Sequence, residues 1–380
     1  MKTNLYNLLV LALLMSSCLR FKDKPQAYGI TLVELELSSE TLGQLNSSIA
    51  AKREFPGVVK IRGKEYQADL AYAGKSTLYN YKKQYQIILK NNGGYNGKST
   101  YRLNALGADF SGVRAKIGFY VYEKAGLMSS QVEHAAVYLN GKYLGLYALI
   151  EYVTEEFISA RGHDVETMYK ATLGNATFGK ELLLDLENGF KTRVGPKESV
   201  DLTRLIELLN SPRSEETERK VAELVDIDEY LKYVMASIYI HNWDAFKNNF
   251  FLYRSQNDRS FHFIPWDLDH LFEQTEDYPY VANRTIWANW TLANWVFANE
   301  TYKKRYLEFF QEFMNEVLPS EDFLQYVSSE FDTIAEAYNH DRVLTANNRK
   351  LSEQRETLIS AIKDWHAAIE SDLKQLLITK

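Results

Sequence analysis

The periodicity of apolar residues changes once along this chain, and that change constrains the fold more than any other feature. Up to about residue 154, apolar and polar residues alternate in short runs typical of strands, as in "YGITLVELEL". The clearest case is "EHAAVYLNGKYLGLYALIEYV", where two apolar strands flank Asn140-Gly141, a pair favoured in tight hairpin turns. From about residue 155 helical spacing dominates, as in "DEYLKYVMASIYI". The sequence therefore predicts an α+β protein with a strand-rich N-terminal lobe (28–154) and a helix-rich C-terminal lobe (155–380).

Composition favours one compact, two-lobed unit. Hydrophobic residues make up 46% of the 380 residues, only 7 are proline, and no Gly/Ser-rich or Pro-rich linker interrupts the chain. The net charge of −6 and the lack of a long basic run argue against a nucleic-acid partner.

The N-terminus predicts export and a lipid anchor. One lysine precedes the apolar run Leu8–Met15, which is too short to span a bilayer and fits the hydrophobic region of a signal peptide. Two serines and Cys18 follow, a pattern that resembles the lipobox of bacterial lipoproteins, in which the cysteine carries the lipid. We therefore expect a signal peptide over 1–17, lipid attachment at Cys18, a tether over 18–27 and an extracytoplasmic, membrane-anchored protein. An ordinary secretory signal with an incidental cysteine is the alternative.

Polar residues interrupt a core-like stretch between 241 and 270. Asp244 and Asn249 lie five residues apart in "HNWDAFKNNFFLYR", and Asp267 and Asp269 follow the strand–turn–strand pattern "FFLYRSQNDRSFHFI". Protein kinases use this order of residues: a carboxylate that takes the acceptor proton, then an asparagine and an aspartate that bind Mg²⁺ through oxygen. Asp244 suits the first role, and Asn249 and Asp267 suit the second.

Each of these residues also has a structural interpretation. Asp244 and Asp269 are suitable helix caps, Asn249 is a suitable turn amide, and a lone His241 is more often structural than functional. The polar groups break runs such as "ASIYI", "FFLY" and "FHFIPW", however. We therefore expect their side chains to converge at a cleft.

The sequences of several segments resemble those of the CotH kinase family. "HNWDAFKNNFFLYR" followed by "FHFIPWDLDHLF" is similar to that family's Asp-x4-Asn segment and its "PWDxD"-like segment. Upstream, "YLNGKYLGLYALIEYV" looks like the family hairpin "NGxYxGxYxxxE", and "AYAGKSTLYNYKKQYQIILK" is similar to its "GNSS…KKxYxIK" region. The resemblance runs in order over roughly residues 30 to 370.

This resemblance implies an atypical protein-kinase-like fold that binds ATP with Mg²⁺ or Mn²⁺ and phosphorylates Ser or Thr in proteins. Asp244 is then the catalytic base, and Asn249 and Asp267 are metal ligands. Asp269 orients the site or binds a second ion. For the nucleotide, the resemblance implies phosphate binding by Lys83, with Lys82 as the alternative, and a hinge beside the adenine at Glu151.

The family's "GNSS" is here Gly74-Lys75-Ser76-Thr77, which puts phosphate binding by this loop in question. The same "GKST" segment resembles the end of a P-loop motif, but that motif requires a glycine at position 69, where this chain has Asp69. The segment is therefore not a P-loop. Glu123 is a candidate partner for Lys83, although a position on a solvated helix face is the simpler explanation.

Two other functions remain open. A surface-anchored protein on a kinase-like scaffold binds or assembles its partners without phosphoryl transfer. A metal-dependent hydrolase uses Asp244, Asp267, Asp269 and His270. The tryptophans of "NRTIWANWTLANW" (283–295) suggest either a stacking platform or packing between helices, and packing is the simpler interpretation.

Overall fold

The computed structural model describes residues 24–90, 93–197, 199–273 and 286–378. The predicted signal peptide, Cys18 and the first part of the predicted tether lie outside the described residues. So do the first three residues of the tryptophan-rich segment.

The strand-rich half closes into a barrel. Seven strands follow each other around it in the order β1-β2-β3-β4-β5-β7-β6, with β1 and β6 parallel and the other neighbours antiparallel. The strands are β1 (Thr31–Glu36), β2 (Phe55–Ile61), β3 (Lys64–Ala73), β4 (Gln84–Leu89), β5 (Thr100–Asn104), β6 (Val132–Leu139) and β7 (Lys142–Glu151). Closure leaves no exposed sheet edge.

The second half combines helices with a four-stranded antiparallel sheet in the order β11-β10-β8-β9. Its strands are β8 (Thr167–Ala171), β9 (Phe190–Val194), β10 (Phe250–Arg254) and β11 (Phe261–Pro265). The helices among the described residues are α1 (Ser39–Ser47), α2 (Arg114–Lys124), α3 (Glu155–Ser159), α4 (Val200–Leu209), α5 (Glu215–Ala222), α6 (Ile227–Tyr239), α7 (Thr291–Phe297), α8 (Glu300–Glu312), α9 (Ser320–His340) and α10 (Leu351–Ile378). Short 3₁₀ turns cover Lys180–Leu183, Leu186–Asn188, Trp243–Phe246 and Ala346–Asn348, and a π-helical turn covers Phe313–Val317.

Strand alternation divides the apolar residues between two cores. Inward-facing side chains such as Tyr85, Ile87 and Leu103 fill the barrel. The outward faces of β6 and β7, including Leu146 and Ile150, join a larger core with the helices and the second sheet. Because successive strand residues point to opposite faces, each residue of β4, β5 and β7 belongs either to the barrel interior or to the surface toward the second half.

A buried ion pair joins the barrel to the C-terminal helices. The Lys82 ammonium lies 2.6 Å from Oδ2 of Asp341, just after α9, and that oxygen also accepts the Leu146 N–H at 2.8 Å. Gly145 has a φ of 127°, and a Cβ atom there would clash with the Asp341 carboxylate. Both charges are buried, so losing either partner would leave an uncompensated charge inside the protein, at a cost of about 3–5 kcal/mol.

The α+β class with a strand-rich first half and a helix-rich second half is confirmed. The hairpin at Asn140-Gly141 forms as predicted, with φ of 50° and 80° at the two turn residues. The sequence interpretation missed β5, β8 and β9. None of the helices among the described residues has both the length and the apolar run that crossing a bilayer requires.

Candidate active site

The three predicted site segments meet where the second sheet ends. Asp244 lies on the 3₁₀ turn that follows α6, and Asn249 immediately precedes β10. Asp267 comes two residues after β11, which pairs with β10. His241, Asn249 and Asp267 have φ values of 49°, 53° and 58°, in the left-handed region that non-glycine residues rarely adopt and that Asn, Asp and His tolerate best. The local backbone therefore explains why Asn and Asp interrupt an apolar sequence here.

The side-chain amide of Asn249 links these segments. Its Nδ2 donates to Oδ2 of Asp244 at 2.9 Å and to the backbone carbonyl of Asp267 at 3.3 Å. Asn248 donates a second hydrogen bond to Oδ2 of Asp244 at 2.9 Å. The predicted convergence of Asp244, Asn249 and Asp267 is therefore what the structure shows, while their chemical roles stay predictions.

The carboxylates of this group differ in environment. Burial raises the pKa of Asp244, with a further contribution from Asp267 and an opposing one from the Asn248 hydrogen bond. Burial, followed by repulsion from Asp267, raises the pKa of Asp269 well above its usual range. The hydrogen bond from His270 to Glu273 is the main reason why the pKa of His270 is raised. Asp267 is exposed, and its carboxylate forms no hydrogen bond or ion pair with a described residue.

Helix α2 packs against the segment that carries Asp267 and Asp269. Arg114, at its first turn, donates to the backbone carbonyl of Leu271 at 2.7 Å and to the fully buried Asp109 at 2.8 Å. Gly118 of the same helix faces the side chains of Leu268 and Leu271 so closely that a Cβ atom would clash with them. The position of the 267–271 segment therefore depends on packing against α2.

Lys170 interacts electrostatically with Asp267 and with three other cations, Arg102, Arg193 and Lys52. The sequence interpretation singled out none of these four cations, which we call the basic cluster. Burial is the main cause that lowers the pKa of Arg102, and the Asp267 carboxylate opposes this shift. Burial also lowers the pKa of Lys170, repulsion from Arg102, Arg193 and Lys52 adds to that shift, and Asp267 opposes it. None of the four forms an ion pair with a described residue.

Aromatic rings frame the basic cluster. Lys170 Nζ lies 5.2, 5.3 and 5.9 Å from the ring centroids of Trp266, Phe251 and Tyr152. The Arg102 guanidinium lies 5.4 Å from the Tyr152 centroid and donates to Gln86 at 2.9 Å. Burial is the main cause that lowers the pKa of Lys170 to about 7. An unpaired cationic group in a partly buried, ring-lined position is suited to bind an anion.

Lys83 is not brought into this group, and strand alternation gives the reason. Gln86 and Arg102 lie on the outer faces of β4 and β5, whereas Lys83 has the same parity as the inward-facing Tyr85 and Ile87. Its Nζ donates to the Leu78 carbonyl at 3.0 Å, at the mouth of the barrel. The alternative, Lys82, is held by Asp341. The position of Lys83 thus gives no support to the predicted phosphate contact, and Arg102 and Lys170 are the better candidates.

The Glu151 carboxylate is held in an ion-pair network. It pairs with Arg161 at 2.7 Å and Lys98 at 3.3 Å, accepts the Gln131 N–H, and is almost fully buried. Its side chain is therefore not available to a ligand, and a hinge at this position would use the backbone. The next residue, Tyr152, does reach the basic cluster.

The remaining predicted residues mostly have structural roles. Burial lowers the pKa of His241 to about 4, and its ring packs 3.9 Å from that of Trp365. Glu123 is exposed on α2. Trp287 packs against Phe297 and Tyr306, in agreement with the packing interpretation of the tryptophan-rich segment.

The donor atoms present fit a magnesium-type ion better than a paired-metal centre. Mg²⁺ takes one or two carboxylates, neutral oxygens, waters and substrate phosphates as ligands. The exposed Asp267 carboxylate and the Asn249 side-chain carbonyl, whose amide nitrogen is already engaged, supply such oxygens. Among the described residues, no three His, Cys, Asp or Glu side chains are grouped to hold a metal, which gives the hydrolase hypothesis no support.

Comparison with known proteins identifies the family. The model of the CotH kinase protein family matches residues 70–370, well over half of the chain. The chain therefore belongs to the CotH kinase family. The inner spore coat protein H of Bacillus subtilis (strain 168) is 29% identical over 248 residues, covering 63% of this chain and 68% of that protein.

Two solved structures are also similar. The Helicobacter pylori proinflammatory kinase CtkA matches at 15% identity and a TM-score of 0.33, over 78% of this chain and 94% of that one. HipA of Shewanella oneidensis MR-1, solved with HipB and operator DNA, matches at 10% identity and a TM-score of 0.36, over 78% and 64%. Both scores are low, so the family assignment depends on the sequence match.

The environment of Lys170 predicts a titration near neutral pH. In protein carrying [ε-¹³C]lysine and free of metal, the Lys170 resonance should titrate with a midpoint near 7, far below the ordinary 10.5. Arg102→Gln removes a repulsive charge and should raise the midpoint, whereas Asp267→Asn removes an attractive one and should lower it. Lys170→Met assigns the resonance. A midpoint near 10 in the unmodified protein would contradict the described electrostatics.

Proposed function

We propose that this protein is an extracytoplasmic, lipid-anchored kinase that transfers the γ-phosphoryl group of ATP to Ser or Thr of a protein substrate. Membership in the CotH kinase family supports a kinase-like phosphotransferase. The observation that carries the proposal is the Asn249 amide, which joins Asp244 to the Asp267 segment beside the unpaired basic cluster.

We propose a separate task for each group. Arg102 and Lys170 bind the phosphates of the nucleotide, since neither forms an ion pair with a described residue and both interact electrostatically with Asp267. Asn249 and Asp267 hold Mg²⁺ or Mn²⁺, which supplies neutralisation of the phosphate oxygens. Asp269, buried directly behind Asp267, orients this segment or contacts a second ion.

Asp244 takes the proton of the acceptor hydroxyl. The two amide hydrogen bonds both go to Oδ2, so Oδ1 is the oxygen available to the acceptor. Those hydrogen bonds hold the carboxylate in one orientation, and its raised pKa makes it a stronger base than an exposed aspartate.

Two isosteric variants separate binding from transfer. Asp244→Asn should bind ATP with Mg²⁺ within about twofold of the unmodified protein and lose transfer by about 10²-fold or more, since a general base contributes that much. Asp267→Asn should lose both the metal-dependent part of ATP binding and transfer. Calorimetry measures binding, and labelling from γ-labelled ATP measures transfer.

The matched control is Asp364→Asn, an exposed aspartate on α10, which should change neither quantity. Phosphoryl transfer at the normal rate by Asp244→Asn would contradict the assignment of Asp244 as the catalytic base. Nucleotide binding without any transfer in the unmodified protein would favour the alternative function, a kinase-like binding or assembly protein.

The location is proposed from the Cys18 pattern alone. A Cys18→Ala variant should be absent from the membrane fraction of the cell, because it lacks the lipid attachment residue. Retention in that fraction would refute the anchor.

A further inference from the structure

A large cavity opens at the mouth of the barrel, and it is separate from the candidate active site. It has a volume of about 1050 Å³ and lies between the β6–β7 hairpin, α1, the loop before β4 and the chain that follows α9. We call it the mouth groove. Asp244, Asn249, Asp267 and Asp269 do not line it, so an inference about this groove does not depend on the proposed kinase activity.

The mouth groove is strongly basic. Lys24, Lys83, Lys142 and Arg342 line it, and none of the four forms an ion pair with a described residue. Glu336 is the only carboxylate among the described lining residues. The chain as a whole has 50 acidic against 44 basic residues, so unpaired cations are not what an average surface of this protein would present. The groove therefore favours an anionic ligand.

Tyrosine rings form its walls. Tyr28 and Tyr143 line it with partly exposed rings and Tyr81 with an exposed one, whereas the lining residues Tyr72, Tyr85, Tyr138 and Tyr147 are almost fully buried. The rim residue Tyr81 is 87% exposed, a large aromatic surface with no packing role. The ring faces carry partial negative charge and attract the C–H groups on the flat faces of sugar rings. The walls thus suit a ligand that is built of rings as well as charged.

The walls are held in place before any ligand arrives. Tyr28 stacks on His340 at 4.6 Å and packs against Tyr143 at 5.3 Å, and Tyr143 packs against Tyr138 at 5.0 Å. The neighbouring Lys82–Asp341 pair fixes the barrel against the chain after α9. A preformed concave site loses little entropy when it binds a ligand.

We propose that the mouth groove binds an acidic glycan, a chain of sugar rings that carry carboxylate groups. The unpaired cations bind the carboxylates, and the exposed ring of Tyr81 and the partly exposed rings of Tyr28 and Tyr143 stack on the sugar rings. The concave shape favours an inserted chain over a membrane surface, and the number of rings favours sugars over an acidic peptide.

The test uses hexagalacturonate as the probe and its neutral methyl ester as the matched ligand. The full-length protein should bind the acid measurably in calorimetry, and its affinity should fall as the salt concentration rises. It should bind the ester at least about tenfold more weakly than the acid. Lys83→Gln/Lys142→Gln/Arg342→Gln should lower the affinity at least about tenfold, and Tyr81→Ala several-fold.

The control is Lys180→Gln/Lys363→Gln/Arg204→Gln, three exposed cations of the helical half, which should bind like the unmodified protein. Equal thermal stability of the two triple variants excludes misfolding as the cause. The proposal is overturned if the acid does not bind, or if the ester binds equally well. It is also overturned if hexaglutamate, anionic phospholipid vesicles or ATP bind through the same three cations more tightly than the acid does.

Discussion

The hydrogen bonds of one amide, that of Asn249, are what the candidate active site depends on. The amide nitrogen contacts both a carboxylate on the turn after α6 and a backbone carbonyl beyond β11. Pairing of β10 with β11 brings the two ends together, and the backbone is left-handed at both Asn249 and Asp267. Because both hydrogen bonds use the nitrogen of the Asn249 amide, its Oδ1 atom is available to bind a metal ion. A single side chain therefore orients the proposed base and supplies a proposed metal ligand.

Strand alternation in the barrel separates two charged surfaces. Outward residues of β4 and β5, such as Gln86 and Arg102, face the second half and meet Lys170 of β8 beside Asp267. Lys83 lies on the opposite parity and points toward the barrel mouth, where it joins other unpaired cations. A shift of one residue through β4 would move Lys83 and Gln86 to the opposite faces of the barrel wall.

The sequence was sufficient for what depends on local pattern. Alternation and the Asn140-Gly141 turn predicted the hairpin, and the polar interruptions of apolar runs predicted that Asp244, Asn249 and Asp267 converge. It was not sufficient for Lys170, because β8 is five residues long and its pairing partner β10 is about 80 residues away in sequence. Arg102 was missed for the same reason, since β5 was not recognised as a strand. Lys83 was chosen from a motif, but the direction of its side chain follows from the barrel.

A crystal structure with a non-hydrolysable ATP analogue and Mg²⁺ tests most directly which oxygens face the nucleotide. We expect the ion about 2.1 Å from the Asp267 carboxylate and from Oδ1 of Asn249, with the triphosphate on Arg102 and Lys170 and the Asp244 carboxylate off the metal. A nucleotide bound at Lys83 in the barrel mouth, or an ion that touches neither Asn249 nor Asp267, would contradict it.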